Sequence, residues 1–175
     1  MKINKLSTQR MEDIQSTFGL PPLCAKVLAA KGLANDEIAA LLQEPKLSDP
    51  FCANGVKEVA DRLYQAKQKK EKVLVCGDYD ADGICATAIM VDALRSYGID
   101  CGFYIPNRFS EGYGLHENTV GLAKQKGYTL LITVDNGVKA KTALSFAHTM
   151  GIDVIVTDHH SMDEEVTCLQ LVHPT

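Results

Sequence analysis

Three short stretches of this 175-residue chain gather groups that hold cations or move protons: "GDYDADG" from Gly77, "TVDNGV" from Thr133 and "VTDHH" from Val156. Together they supply Asp78, Asp80, Asp82, Asp135, Asp158, His159 and His160. Two unit charges 4 Å apart repel by about 4 kcal/mol at an effective dielectric near 20. Carboxylates this dense on one rim would stay partly protonated or draw in cations. Carboxylate oxygen with one or two imidazoles suits Mg²⁺, Mn²⁺ or Fe²⁺. A pair of such ions about 3.5–4 Å apart suits attack of water on a phosphoester. A calcium loop is the rival for the first stretch, since Asp78, Asp80, Asp82 and Gly83 fit the opening of an EF-hand. The closing carboxylate is missing, because Ile89 stands where Glu is needed, and the apolar run "VLVCG" precedes the loop instead of a helix. Each stretch taken alone could be a helix cap or a turn. Three of them, each following a strand-like run, point to a metal site.

Those runs must position the chemistry. Apolar, β-type segments occur at "VLVCG" (73–77), "CGFYIP" (101–106), "TLLITV" (129–134) and "DVIVT" (153–157). Helical patterns separate them, "GICATAIMVDALRSYG", "HENTVGLAKQKG" and "KAKTALSFAHTMG", each closing on a glycine (Gly98, Gly127, Gly151) that suits a helix stop. The spacing is that of βα units. Strands apolar on both faces predict an α/β fold with a doubly wound, mostly parallel sheet. Ligands in such sheets bind beyond the carboxyl ends of the strands, which is where the three stretches fall.

Residues 1–52 predict a short helical lead and 53–175 the α/β domain. In the lead, "PPLCAKVLAAKGL" has prolines where a helix begins and Gly32 where it stops. Asn35 is placed to cap a second helix, "DEIAALLQ", before Pro45 and Pro50 break the pattern. "VKEVADRLYQAKQKK" repeats apolar residues at helical spacing and ends in lysines that suit a helix C-terminus and a solvated face.

Composition excludes little. Hydrophobic residues make up 46% and charged residues 23%, as in an ordinary globular protein, and a net charge of −4 gives no electrostatic argument for nucleic acid, although it leaves room for a local basic groove. Six cysteines form no CxxC pair, so neither a zinc ribbon nor a thioredoxin-type motif is suggested. The start of the chain has no apolar signal region and no segment is long enough to span a membrane. A reduced, cytoplasmic setting is expected.

The three stretches resemble the first three motifs of the DHH phosphoesterase superfamily. Between them, "IPNRFSEGYGL" (105–115) resembles the RecJ exonuclease family, as do "GLPPLCAKVLAAKGL" near the start and "VHP" (172–174) near the end. The resemblance implies a 5′-to-3′ exonuclease on single-stranded DNA, serving repair and recombination, with two Mn²⁺ or Mg²⁺ ions. By motif, Asp80, Asp82, Asp135 and His159 would be metal ligands, with Asp135 bridging. His160 would contact the scissile phosphate or assist the leaving group, and Asp158 would orient His159 or the loop. Arg108 is the candidate phosphate clamp, unless it pairs with Glu111. Asp78 and Cys76 are weaker candidates; Cys76 occupies a position where many members carry a ligating His, and packing is the other reading for it.

The resemblance also implies a fourth motif with a further metal-binding Asp and a second, closing domain. After His160 only Asp163 offers a carboxylate Asp, too close in sequence for that part. The 175 residues alone are therefore expected to be inactive or nearly so. A phosphodiesterase for short oligonucleotides or small molecules, and a non-catalytic binding module, stay open beside the exonuclease. Oligomeric state is not legible in the residues.

Overall fold

The structure, a computed structural model, describes residues 8–44, 48–162 and 165–174. Pro45 and Asp163 lie outside the described residues. The chain forms two compact units, Met1–Leu47 and Ser48–Thr175.

The first unit holds three helices, α1 (Thr8–Phe18), α2 (Pro22–Lys31) and α3 (Asn35–Leu42). Each contributes one fully buried side chain to a small core, Ile14, Ala25 and Ile38. Helix α2 opens on Pro22 and stops at Gly32, whose φ of 71° is left-handed. Asn35 does not cap α3. Ala34 holds the cap position, where its N–H donates to the Glu37 carboxylate at 2.7 Å, and the Asn35 amide oxygen instead accepts from Arg10 at 2.8 Å.

The second unit begins with a 3₁₀ turn at Pro50–Cys52 and helix α4 (Val56–Gln68). There follow β1 (Val73–Cys76), α5 (Ala81–Tyr97), β2 (Cys101–Tyr104), α6 (Glu117–Gln125), β3 (Leu130–Val134), α7 (Lys141–Thr149), β4 (Asp153–Thr157) and β5 (Gln170–Val172). The strands lie in the order β2-β1-β3-β4-β5 and every pairing is parallel. The short β5 was not foreseen: three half-buried residues give no strand pattern on their own, and pairing with β4 defines them.

Successive strand residues face opposite sides, so the sheet carries two cores. Val73, Val75, Leu130, Ile132 and Ile155 pack with Ala66 of α4 and Val91 and Leu94 of α5. Leu74, Cys76, Leu131, Val154 and Val156 pack with Val120 and Ala123 of α6 and Ala143, Leu144 and Ala147 of α7. This split follows from chain direction. β1 to β2 runs one way across the sheet while β2 to β3 and β3 to β4 run the other, so right-handed crossovers put α5 on one face and α6 and α7 on the other. The order therefore reverses between β1 and β3, and a crevice opens at their carboxyl ends. On the amino side, Arg62 of α4 ties Glu71 (2.7 Å) to Asp153 (2.9 Å) at the start of β4. Among the described residues no helix is long and apolar enough to cross a membrane.

Candidate metal centre

The ladder register decides which side chains meet. Val73 pairs with Leu130, Leu130 with Asp153, and Ile155 with Gln170. Carried to the carboxyl ends, the same register brings Asp78, Asp135, Asp158 and His173 level on adjacent strands. The outer hydrogen bonds continue it: Asp135 N–H donates to Thr157 at 3.0 Å and Asp158 N–H to Val172 at 3.2 Å. All four residues are buried.

The first stretch turns straight from β1 into α5. Asp80 caps that helix, its Oδ1 accepting from Gly83 N–H at 3.0 Å. Gly83 presses on the backbone of Asp78, where a Cβ would stand 2.7 Å from the Asp78 carbonyl oxygen and 2.8 Å from its Cα. Asp80 and Asp82 stand exposed at the crevice, whereas Asp78 is buried with an Oδ1 that finds no hydrogen-bond partner.

Asp135 follows β3 in a left-handed conformation, φ 60°, which Asp tolerates better than most residues. The next residue, Asn136, is fully buried and donates its amide to Cys76 O (3.0 Å) and Val134 O (2.9 Å), pinning the end of β1 to that of β3. Burial, and then the charges of Asp82 and Asp80, push the Asp135 carboxyl above its ordinary pKa, against the opposing pull of His159 and His160. His159 Nδ1 lies 3.2 Å from Asp135 Oδ1.

Asp158 is fully engaged. Its Oδ1 accepts from the backbone of His159 (2.7 Å) and His160 (3.1 Å) and lies 2.7 Å from His160 Nδ1, while Oδ2 accepts from Val138 N–H at 3.0 Å. Burial alone would raise this carboxyl, but the donors outweigh it and hold it below the ordinary range. The same contact raises the pKa of His160. Asp158 thus orients the ring of His160, not of His159, because the His159 ring turns to Asp135 and only its backbone reaches Asp158.

Donor atoms of Asp135, Asp158, His159 and His160 all lie within 4.8 Å of one another. Asp78, Asp80 and Asp82 reach the same rim outside that group. Within this group the Asp135 carboxylate and the His159 imidazole suit a hard divalent cation, and the buried Asp78 Oδ1, which has no hydrogen-bond partner, is a further sign of a missing ligand. Cys76 does not join the rim: it is buried in the core and its thiol is pushed up to about 12 by burial, so it packs as a neutral side chain.

The β2–α6 loop closes over the crevice edge. Arg108 lies over the Tyr79 ring, 5.3 Å from its centroid, instead of pairing with Glu111. The Glu111 carboxylate is held by Tyr104 O–H and by Asn107 N–H. Tyr113, between two left-handed glycines, donates its hydroxyl to Asp135 O at 2.8 Å, with His160 Nδ1 3.2 Å away. Its ring meets Tyr79 and His160 edge-on. Burial, then the charges of Asp158 and Asp135, keep that phenol protonated. Tyr113, Asn136 and His173, whose Nε2 lies 2.8 Å from His160 O, are site residues that motif reading passes over. The signals for Tyr113 are its glycine flanks and its place in the segment 105–115.

The model of the DHH family, N-terminal domain, matches residues 72–175. The single-stranded-DNA-specific exonuclease RecJ of Bacillus subtilis is 37% identical over 99% of this chain and 22% of its own length. A crystal structure of exonuclease RecJ bound to manganese superposes with a TM-score of 0.67 at 36% identity, covering 74% of this chain and 33% of that one. RecJ in complex with Mn²⁺ from Thermus thermophilus gives 0.68 at 28% identity, covering 96% and 24%. The chain spans between 22% and 33% of the length of these relatives.

Proposed function

The chain belongs to the DHH family, and on that footing we propose that its rim is the metal-binding part of a RecJ-type exonuclease. The substrate is single-stranded DNA, digested 5′ to 3′ in repair and recombination in the cytoplasm. The observation that carries the reading is the convergence of Asp135, Asp158, His159 and His160 donors within 4.8 Å at the crevice between β1 and β3. Six unpaired cysteines are in keeping with a reducing compartment.

Asp80, Asp82, Asp135 and His159 would hold Mn²⁺ or Mg²⁺, with Asp78 buried at the end of β1 beside them. Bound ions of this kind lower the pKa of a water, orient it, and neutralise charge developing on the phosphate. His160 meets the scissile phosphate: Asp158 takes its Nδ1 side, which leaves Nε2 for a phosphate oxygen or the leaving group. The raised pKa of His160 favours the protonated ring that such a contact needs. Arg108, exposed beside the crevice, clamps a neighbouring phosphate.

Anomalous scattering from Mn²⁺-soaked crystals tests the reading. Peaks among Asp80, Asp82, Asp135 and His159 are expected, and an empty rim would end it. In turnover assays of a full-length enzyme that carries this chain, preference for dinucleotides over long single strands would move the assignment to a small phosphodiesterase.

A further inference from the structure

We propose that Phe109 is a base-stacking residue for single-stranded nucleic acid, set beside the phosphate clamp; this rests on the nuclease reading above. The ring is 96% exposed. Single exposed apolar side chains are common and need no explanation, but the setting of this one differs. Its loop is stiffened by a set of short bonds. Asn107 Oδ1 accepts from Phe109 N–H (2.9 Å) and Ser110 N–H (3.2 Å), and Asn107 O accepts from Glu111 N–H at 2.9 Å. Glu111 closes the turn onto Asn107 N–H at 2.7 Å and onto Tyr104.

The chain thus spends conformational entropy to hold an aromatic ring in water. Neighbouring Arg108 turns back over Tyr79, one residue from Asp80 and Asp78, while Phe109 faces outward. Consecutive Cα atoms are about 3.8 Å apart, so a strand whose phosphate meets Arg108 would carry a base within reach of Phe109. Every base has a π-face, so the contact is tolerant of sequence, and only unpaired bases offer it. With a net charge of −4 the protein gains little long-range attraction for phosphate, which raises the value of a stacking contact.

The 175-residue chain, with Mn²⁺, is titrated against a labelled oligothymidylate of about a dozen nucleotides, with cleavage-resistant phosphorothioate linkages, and against an abasic strand of equal length. The parent should prefer the base-bearing strand by about tenfold, within the range for one stacked base. Phe109→Ala should lose that preference and bind the abasic strand as the parent does, while Phe109→Trp retains it. Arg108→Ala should weaken both strands alike. Equal binding of the base-bearing strand by the parent and Phe109→Ala would overturn the proposal, as would a parent blind to bases. A parent that binds neither strand would overturn this inference, while Mn²⁺ peaks at the rim decide separately whether the nuclease reading stands.

Discussion

Gly83→Ala sets two physical effects against each other. In a helix interior, Ala is favoured over Gly by about 0.8–1 kcal/mol; Gly83 stands in the first turn of α5, so propensity predicts a gain in stability of at most that size. Packing predicts the reverse. A Cβ at Gly83 would meet the Asp78 carbonyl oxygen at 2.7 Å and the Asp78 Cα and Cβ at 2.8 Å. These are backbone atoms and a buried side chain at the end of β1, so they cannot swing aside. Relief requires α5 to lift from the strand end, and overpacking of this kind costs about 1–3 kcal/mol. The net expectation is a loss of about 1–2 kcal/mol, or roughly 3–8 °C in Tm. Gly121→Ala is the control. Gly121 also lies inside a helix, α6, but nothing stands within 4 Å of its missing Cβ, so propensity acts alone and Tm should rise by about 3 °C. Calorimetry of the two variants beside the parent reads the signs directly. A rise in both would refute the claim that the start of α5 is pressed onto Asp78. The Gly83 variant should also bind Mn²⁺ more weakly, because lifting α5 carries Asp80 and Asp82 away from Asp135.

Asp135→Asn keeps a residue that tolerates φ 60° and removes the charge that Asp82 and Asp80 oppose. It should raise metal-free stability by about 1 kcal/mol while abolishing stabilisation by Mn²⁺, both read by calorimetry with and without the ion; an unchanged Mn²⁺ shift would exclude Asp135 as a ligand. Tyr113→Phe keeps the ring contacts but loses the hydroxyl on Asp135 O, worth about 1 kcal/mol, so titration calorimetry should show Mn²⁺ binding weakened by about fivefold. Arg62→Met strands Glu71 and should cost about 2 kcal/mol at neutral pH. The hydrogen bond from Arg62 is the leading reason the folded pKa of Glu71 is depressed, so this stabilisation is fully present above the unfolded value near 4.3 and fades as pH falls through the folded one. Denaturation of parent and variant should differ steadily at pH 5–8 and converge in acid.

Much of the fold was legible because the βα rhythm is strong. Apolar runs at Val73, Cys101, Leu130 and Asp153 became β1 to β4, and glycines at 98, 127 and 151 end or follow the helices between them. β5 was invisible because three half-buried residues carry no period of their own. In the site, the three acidic stretches were legible as strand ends, and parallel order brings them together. The partners of adjacent side chains were not. Which of His159 and His160 Asp158 would orient depends on how the chain leaves β4, and neighbouring rings in an irregular segment point where the local backbone sends them. Asn136 reads as an ordinary turn residue after Asp135, and only the approach of Cys76 O from β1 makes it a buried clamp. The role of Tyr113 needs the β2–α6 loop to fold back over the crevice, a contact between residues 22 apart.

The level row of Asp78, Asp135 and Asp158 separates structural from functional carboxylates more clearly than their motifs do. All three are buried at equivalent ends of adjacent parallel strands, so position does not distinguish them. Hydrogen bonding does. Asp158 has both oxygens occupied by donors from Val138, His159 and His160, and its pKa falls accordingly. A group satisfied in this way gains little from a cation and would lose its hold on His160 by turning to one. Asp135 has the opposite character, with a raised pKa and carboxylate neighbours instead of backbone donors, and Asp78 keeps an oxygen without any hydrogen bond. Buried polar groups are rarely left so in stable folds. The strain is therefore concentrated on the β1 and β3 side of the crevice, where a divalent cation relieves most repulsion, and the β4 side supplies a fixed imidazole facing it. Metal affinity should accordingly respond far more to Asp135→Asn than to Asp158→Asn, whose first effect should be on the orientation of His160 and on the stability of the β4 end.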